Sequence, residues 1–128
     1  MFSLVYLACS LAAVVAFQAY QAYIPNGDQV PNVCAIGTWP GVGHKAPLGA
    51  GTLNAFGRDF ADAGHVWTDA LCRRDSDLDG VSNGEELGDP HCHFTPTKPG
   101  HLLEATGHPG ICEPIGSLAC AWQNFTCF

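Results

Sequence analysis

Positive charge is scarce in this chain: five Lys and Arg stand against twelve Asp and Glu, for a formal net charge of −7 over 128 residues. No basic cluster exceeds Arg73-Arg74, which excludes the electrostatic footprint of a nucleic-acid surface. There is no GxSxG elbow and no HExxH helix, and a Cys/His nucleophile is ruled out if every mature cysteine is bridged, so the chain is not expected to be an enzyme. No CxxC pair exists, which argues against structural zinc. The one sustained apolar run, Phe2 to Ala16, falls short of the roughly 20 residues a membrane span requires.

That run suits the hydrophobic region of a signal peptide, although its n-region carries no Lys or Arg. Cleavage after Ala16, Ala19 or Ala22 is compatible with the residues, and Ala16 best suits the small-residue rule because Val14 precedes it by two. The mature protein is expected to be secreted, with no membrane span. Removal of the leader also removes Cys9 and leaves Cys34, Cys72, Cys92, Cys112, Cys120 and Cys127. Six cysteines in an oxidising compartment read as a disulfide framework with 15 possible connectivities. The sequon Asn124-Phe125-Thr126 marks Asn124 as a candidate glycosylation site at the surface.

Aliphatic residues are few after the leader, while Gly and Pro recur. The expected fold is a small, disulfide-rich, loop-dominated domain with a few short α-helices and little β-structure. Residues 23–51 carry too many Pro and Gly for a helix and no strand-length alternation. Asn54 offers an N-cap to a helix over Ala55–Ala63, with Phe56, Phe60 and Ala63 on one stripe. A second short helix is expected from Thr68 to Arg74. Trp39, Trp67, Phe56 and Phe60 are the candidate core. Trp122, Phe125 and Phe128 are left either to pack on the domain or to face a partner.

The sharpest chemical signal is Asp75 to Glu86, DSDLDGVSNGEE, which fits D-x-[DN]-x-[DN]-G-x5-E at every specified position. The pattern assigns calcium ligands to Asp75, Asp77, Asp79, the Val81 carbonyl, Asn83 directly or through water, and a bidentate Glu86, with Gly80 making the turn. Six of the twelve acidic residues lie between Asp75 and Asp89, so a neutralising cation is expected. Gly88 and Pro90 allow almost no exiting helix, and no second loop of this kind occurs. An isolated EF-hand-like loop needs another support. A Cys72–Cys92 bridge across its ends would supply one, worth about 3 kcal/mol in the chain-entropy model. The remaining cysteines then suggest Cys34–Cys112 and Cys120–Cys127.

Histidines offer a second metal chemistry, since imidazole suits copper or zinc. His44 and His108 would be drawn together by a Cys34–Cys112 bridge. His91, Cys92 and His93 form an HCH run, in which neighbouring side chains are expected to point apart.

An ordered set of residues resembles the temptin family, secreted molluscan water-borne pheromone proteins, and the temptin-type Cys/Cys disulfide domain. The set comprises Tyr23-Ile24-Pro25-Asn26-Gly27, Gly41-Val42-Gly43-His44, Asn54, Phe56-Gly57, Asp59-Phe60, Trp67-Thr68 and Leu71-Cys72. It continues through DSDLDG, Asn83 to Pro90, Cys92, His108-Pro109-Gly110 and Cys112. The resemblance implies a mature start at Tyr23, hence a signal over 1–22, a domain over 23–114 and an unmatched tail over 115–128. It also implies that Cys34, Cys72, Cys92 and Cys112 are the family's four cysteines. The implied activity is extracellular signalling within a multi-protein attractant complex, with a receptor or other secreted proteins as the expected partners; structural Ca2+ is the cofactor expected from the acidic loop itself.

Overall fold

The computed structural model describes residues 20–49 and 51–127; the expected leader segment 2–16 and Phe128 lie outside them. Among the described residues, the helices Ala55–Asp62 (α1), Asp69–Arg73 (α2) and Asn83–Glu86 (α3) precede a 3-10 helix over Leu118–Gln123. Extended structure among the described residues is limited to isolated bridges such as Pro31 with Thr38 and His44 with Leu53. No helix among them is long and apolar enough to cross a membrane.

Helix positions follow from their caps. Asn54 accepts from Gly57 N–H at the start of α1 and Thr68 Oγ1 accepts from Leu71 N–H at the start of α2, each satisfying an amide with no partner in the helix. Both helices are therefore where the sequence puts them, to within a residue at their ends. Ser82 caps α3, and Gly88, at φ 81°, ends the excursion two residues beyond it.

The core gathers Ile24, Val30, Trp39, Val42, Phe56, Phe60, Trp67, Leu71, Leu87 and Ile111. All four expected core aromatics are in it. Phe56 stacks on Phe60 at 6.0 Å and meets Trp67 at 6.4 Å. Asparagines do much of the strapping between loops that share no ladder. Asn54 Nδ2 donates to the carbonyls of Val42 (2.7 Å) and His44 (3.0 Å), and Asn26 Nδ2 donates to those of Leu87 (2.9 Å) and Leu103 (2.8 Å). Buried carbonyls outside regular structure need such partners.

Gly57 packs α1 directly on the Gly41–His44 segment, and a Cβ there would collide with the Gly43 carbonyl. Helix propensity alone would favour Gly57→Ala by about 1 kcal/mol. The collision reverses the sign, because neither backbone can give way. Gly57→Ala is expected to lower the unfolding free energy by about 2–3 kcal/mol, read from the urea midpoint.

Three disulfides staple the domain: Cys72–Cys92, Cys34–Cys127 and Cys112–Cys120. The first is the expected clasp. The expected Cys34–Cys112 and Cys120–Cys127 pairs are replaced, for a reason that lies in the tail. Gln123 docks on Cys112 through both backbone groups, accepting from its N–H (2.8 Å) and donating to its carbonyl (2.9 Å). That contact lays the 3-10 helix against Cys112 and brings Cys120, itself buried, to a Cα separation of 5.4 Å. The chain then runs on to set Cys127 beside Cys34, Cα to Cα 5.5 Å. Phe125 packs on Trp39 at 6.2 Å, whereas Trp122 stays 44% exposed. The tail is thus built into the domain. Asn124 is exposed at the end of the 3-10 helix, in the left-handed region.

Candidate metal centre

The loop between α2 and α3 is held at its base before any ligand is considered. Asn83 N–H donates to Arg74 O at 2.7 Å. The Asn83 side chain crosses the loop: Nδ2 donates to Leu71 O (2.9 Å) and Ser76 Oγ (2.8 Å), and Oδ1 accepts from Ser76 N–H at 3.3 Å. Both of its amide donors are committed, and it is 0% exposed. Asn83, expected at the ninth position directly or through water, is the strut that closes the loop. The disulfide lies outside this strut, and Gly84 makes room for it, since a Cβ there would meet Cys72 Sγ.

Above the strut the carboxylates converge. One oxygen from each of Asp75, Asp77 and Asp79 lies within 4.8 Å of the others. Backbone amides hold the Asp75 and Asp79 side chains in place. Asp75 accepts from Asp79 N–H (3.2 Å) and Gly80 N–H (2.8 Å), and Asp79 Oδ1 accepts from Val81 N–H (3.0 Å). Gly80 adopts φ 92°, a backbone that side chains resist. Glu86 reaches the cluster from α3. Gly107 passes over it so closely that a Cβ would sit 3.3 Å from Glu86 Cγ, and the Thr106 and Gly107 amides donate to Glu86 O.

Asp77 is 0% and Glu86 3% exposed, and Asp77 Oδ2 and Glu86 Oε2 have no hydrogen-bond partner. Burial first, then the neighbouring Asp79 charge, pushes the Asp77 carboxyl up to about 9. Burial, then hydrogen bonding and repulsion within the cluster, pushes Glu86 up to about 11. Glu113, from the segment after Cys112, is raised as well, by burial and then by Asp79. Sequence spacing could not have found it. Asp75, Asp77 and Asp79 supply the oxygens gathered within reach of one ion, with Glu86 interacting with Asp79 beside them, and buried carboxylate oxygens without donors are what a hard divalent cation satisfies. The donor set present fits such an ion.

The two candidate histidines differ in exposure. His108 is sealed in the core at 0% exposed, with Nδ1 accepting from Gly110 N–H at 3.1 Å and its ring edge-on to Trp39 at 5.2 Å. Burial depresses its pKa to about 3, so it is a neutral packing residue. His44 is half-buried beside the Leu53 bridge. Neither His44 nor His108 joins a group of three metal-ligating side chains among the described residues. In the HCH run Cys92 turns inward to its bridge, while the rings of His91 and His93 lie on one side, 6.0 Å apart.

The family described as Temptin C-terminal matches residues 14–111. The chain belongs to the temptin family. It is 47% identical over 112 residues to Temptin of Aplysia californica, covering 85% of this chain and 90% of that protein. No solved structure matches. The temptin-family match starts ahead of Tyr23 and ends one residue before Cys112, so the stapled tail lies beyond it. Residues at the core of the site, Asp75 to Glu86 with Cys72 and Cys92, all fall inside.

Proposed function

We propose that this chain is a secreted signalling protein of the pheromone type, whose domain is braced by one structural Ca2+ at Asp75, Asp77, Asp79, Glu86 and the Val81 carbonyl, and which acts together with other secreted proteins. The observation that carries the signalling role is the 47% identity to Temptin across nearly the whole of both chains. Support for the brace comes from the orphaned oxygens of Asp77 and Glu86. A site with a dissociation constant of about 0.1–1 mM, the extracellular class, is largely filled in seawater or extracellular fluid. It therefore holds shape and does not switch. Exposed Asn124 is the glycan acceptor.

The signalling role is tested by presenting the purified protein, calcium-loaded, to the animal that secretes it in a two-choice water stream, against protein that has been reduced and alkylated. Attraction to the folded form alone, or a marked gain when other secreted proteins are added, is expected. Indifference to both forms, alone and in mixture, overturns the role.

Two mature starts stand: Tyr23, from cleavage after Ala22, which the family resemblance implies, and Phe17, from cleavage after Ala16, which the packing of residues 20–22 favours. Tyr20 stacks on His65 at 4.5 Å and meets Phe60 edge-on at 6.0 Å, and Gln21 Nε2 donates to Pro40 O at 3.1 Å. Gly27 has no room for a Cβ because the Gln21 carbonyl lies against it. Cleavage after Ala22 would discard these contacts. Mass spectrometry of the secreted N-terminal peptide decides between the two, a Tyr23 start contradicting the packing argument.

A further inference from the structure

We propose that His91, His93 and His101 form a second cation site, separate from the acidic loop, which takes a divalent transition ion of imidazole preference, zinc or copper(II).

The turn that carries the first two is rigid for reasons unrelated to metal. Asp89, 6% exposed, accepts from His93 N–H (3.0 Å), Phe94 N–H (3.1 Å) and the Trp67 indole (2.9 Å). Its carbonyl accepts from Cys92 N–H at 3.1 Å. Cys92, at φ 61°, is tied inward to Cys72, and Phe94 is buried at 7% exposed. With positions 92 and 94 facing in, 91 and 93 face out together. Their rings are 6.0 Å apart and tilted by 35°. Two imidazoles on one zinc ion, at bond lengths of about 2.0–2.1 Å, place their ring centres about 5–6 Å apart. Two of the ligands are therefore close to their bound separation.

The third comes from the returning segment. Thr95 and Lys98 exchange backbone hydrogen bonds at 3.2 and 3.1 Å, which reverses the chain, and Leu103 N–H donates to Gly88 O at 2.9 Å. Between these anchors His101 faces His91 and His93 across a hollow of about 420 Å³. All three histidines are exposed. Among the described residues no hydrogen bond or ion pair is recorded for any of the three rings. The three sets of nitrogens are not gathered within 4.8 Å as they stand, and rotation of the exposed His101 side chain is the closing movement. Asp89 is spent on three donors, so the set is imidazole alone. That separates it chemically from the all-oxygen loop, which suits hard ions.

The test uses tag-free secreted protein in saturating calcium chloride, so that the acidic loop is not the reporter. Titration with zinc chloride, followed by calorimetry and by the imidazole nitrogen resonances, is expected to show one zinc per chain with shifts at His91, His93 and His101. A repeat with copper(II) chloride, read by nitrogen coupling in electron paramagnetic resonance, is expected to show imidazole nitrogens on the bound copper. His91→Ala with His93→Ala, and separately His101→Ala, are expected to weaken binding at least about tenfold. His65→Ala, a remote exposed histidine, is expected to leave it unchanged. These side chains are on the surface, and unchanged melting temperatures establish that the variants fold. Absence of saturable binding, binding that calcium displaces, or a His101→Ala protein that binds like wild type each overturns the site.

Discussion

Converting Cys34 and Cys127 together to serine is expected to lower the unfolding free energy by about 4–5 kcal/mol. The bridge closes 93 residues, and in the chain-entropy model the stabilisation grows with the logarithm of the closed loop. Converting Cys112 and Cys120, which close only 8, is expected to cost about 2.5 kcal/mol. A domain of this size has about 5–15 kcal/mol in all, so the first variant is marginal while the second remains folded. The larger bridge also holds Phe125 over Trp39, which adds lost packing to lost constraint. Urea denaturation of the two variants measures the difference. Equal losses, or peptide mapping that finds Cys34 joined to Cys112, would contradict this assignment of the framework.

Stripping the metal is expected to reverse the pH dependence of stability. In the metal-free protein the Asp77 and Glu86 carboxyls are raised to about 9 and about 11, by burial first and neighbouring carboxylates next. A folded-state pKa above the unfolded value, about 4 for a carboxylate, gives stability that is fully present below that value. It is lost as pH rises through the window from about 4 to the folded values. Each proton retained accounts for up to about 1.4 kcal/mol per pH unit. The melting temperature in EDTA is therefore expected to climb as pH falls from about 8 to about 5. With excess calcium it is expected to fall over the same range, because protons compete with the ion. At pH about 7 the gap between the two curves is expected to be on the order of 10 °C, for calcium at about a hundred times its dissociation constant. Parallel curves would show that no ion replaces these protons.

Local signals carried far in this sequence. Asn54 and Thr68 announce their helices because a capping side chain acts within three residues of its own position. The spacing of Asp75, Asp77, Asp79 and Glu86 carries the calcium-loop pattern within one short segment, and the three aspartates do converge. Cys72–Cys92 was legible for the same reason, as a clasp set beside the loop it closes.

What escaped depends on through-space docking. The partners of Cys34 and Cys112 are decided by Gln123, a polar residue in a tail that follows no pattern, which grips Cys112 like a strand neighbour. Asn83 sits at a ligand position yet serves as a strut, a choice made by Ser76 and Leu71 presenting their groups from the far side of the loop. Gly107 and Glu113 reach the loop from more than twenty residues away in sequence. The bridge expected to draw His44 and His108 together does not form, and His108 packs edge-on to Trp39 in the core.

The central claim is the calcium brace, and calorimetric titration of metal-stripped protein tests it most directly. Calcium added at neutral pH, in two buffers of different ionisation enthalpy, is predicted to bind at one site per chain, with a dissociation constant on the order of 0.1–1 mM and release of about one to two protons. Glu86→Gln is predicted to weaken that binding on the order of 100-fold, at or beyond the upper end of what an outer-shell partner contributes. No saturable heat at calcium well above the millimolar range, or binding that Glu86→Gln leaves intact, would contradict it.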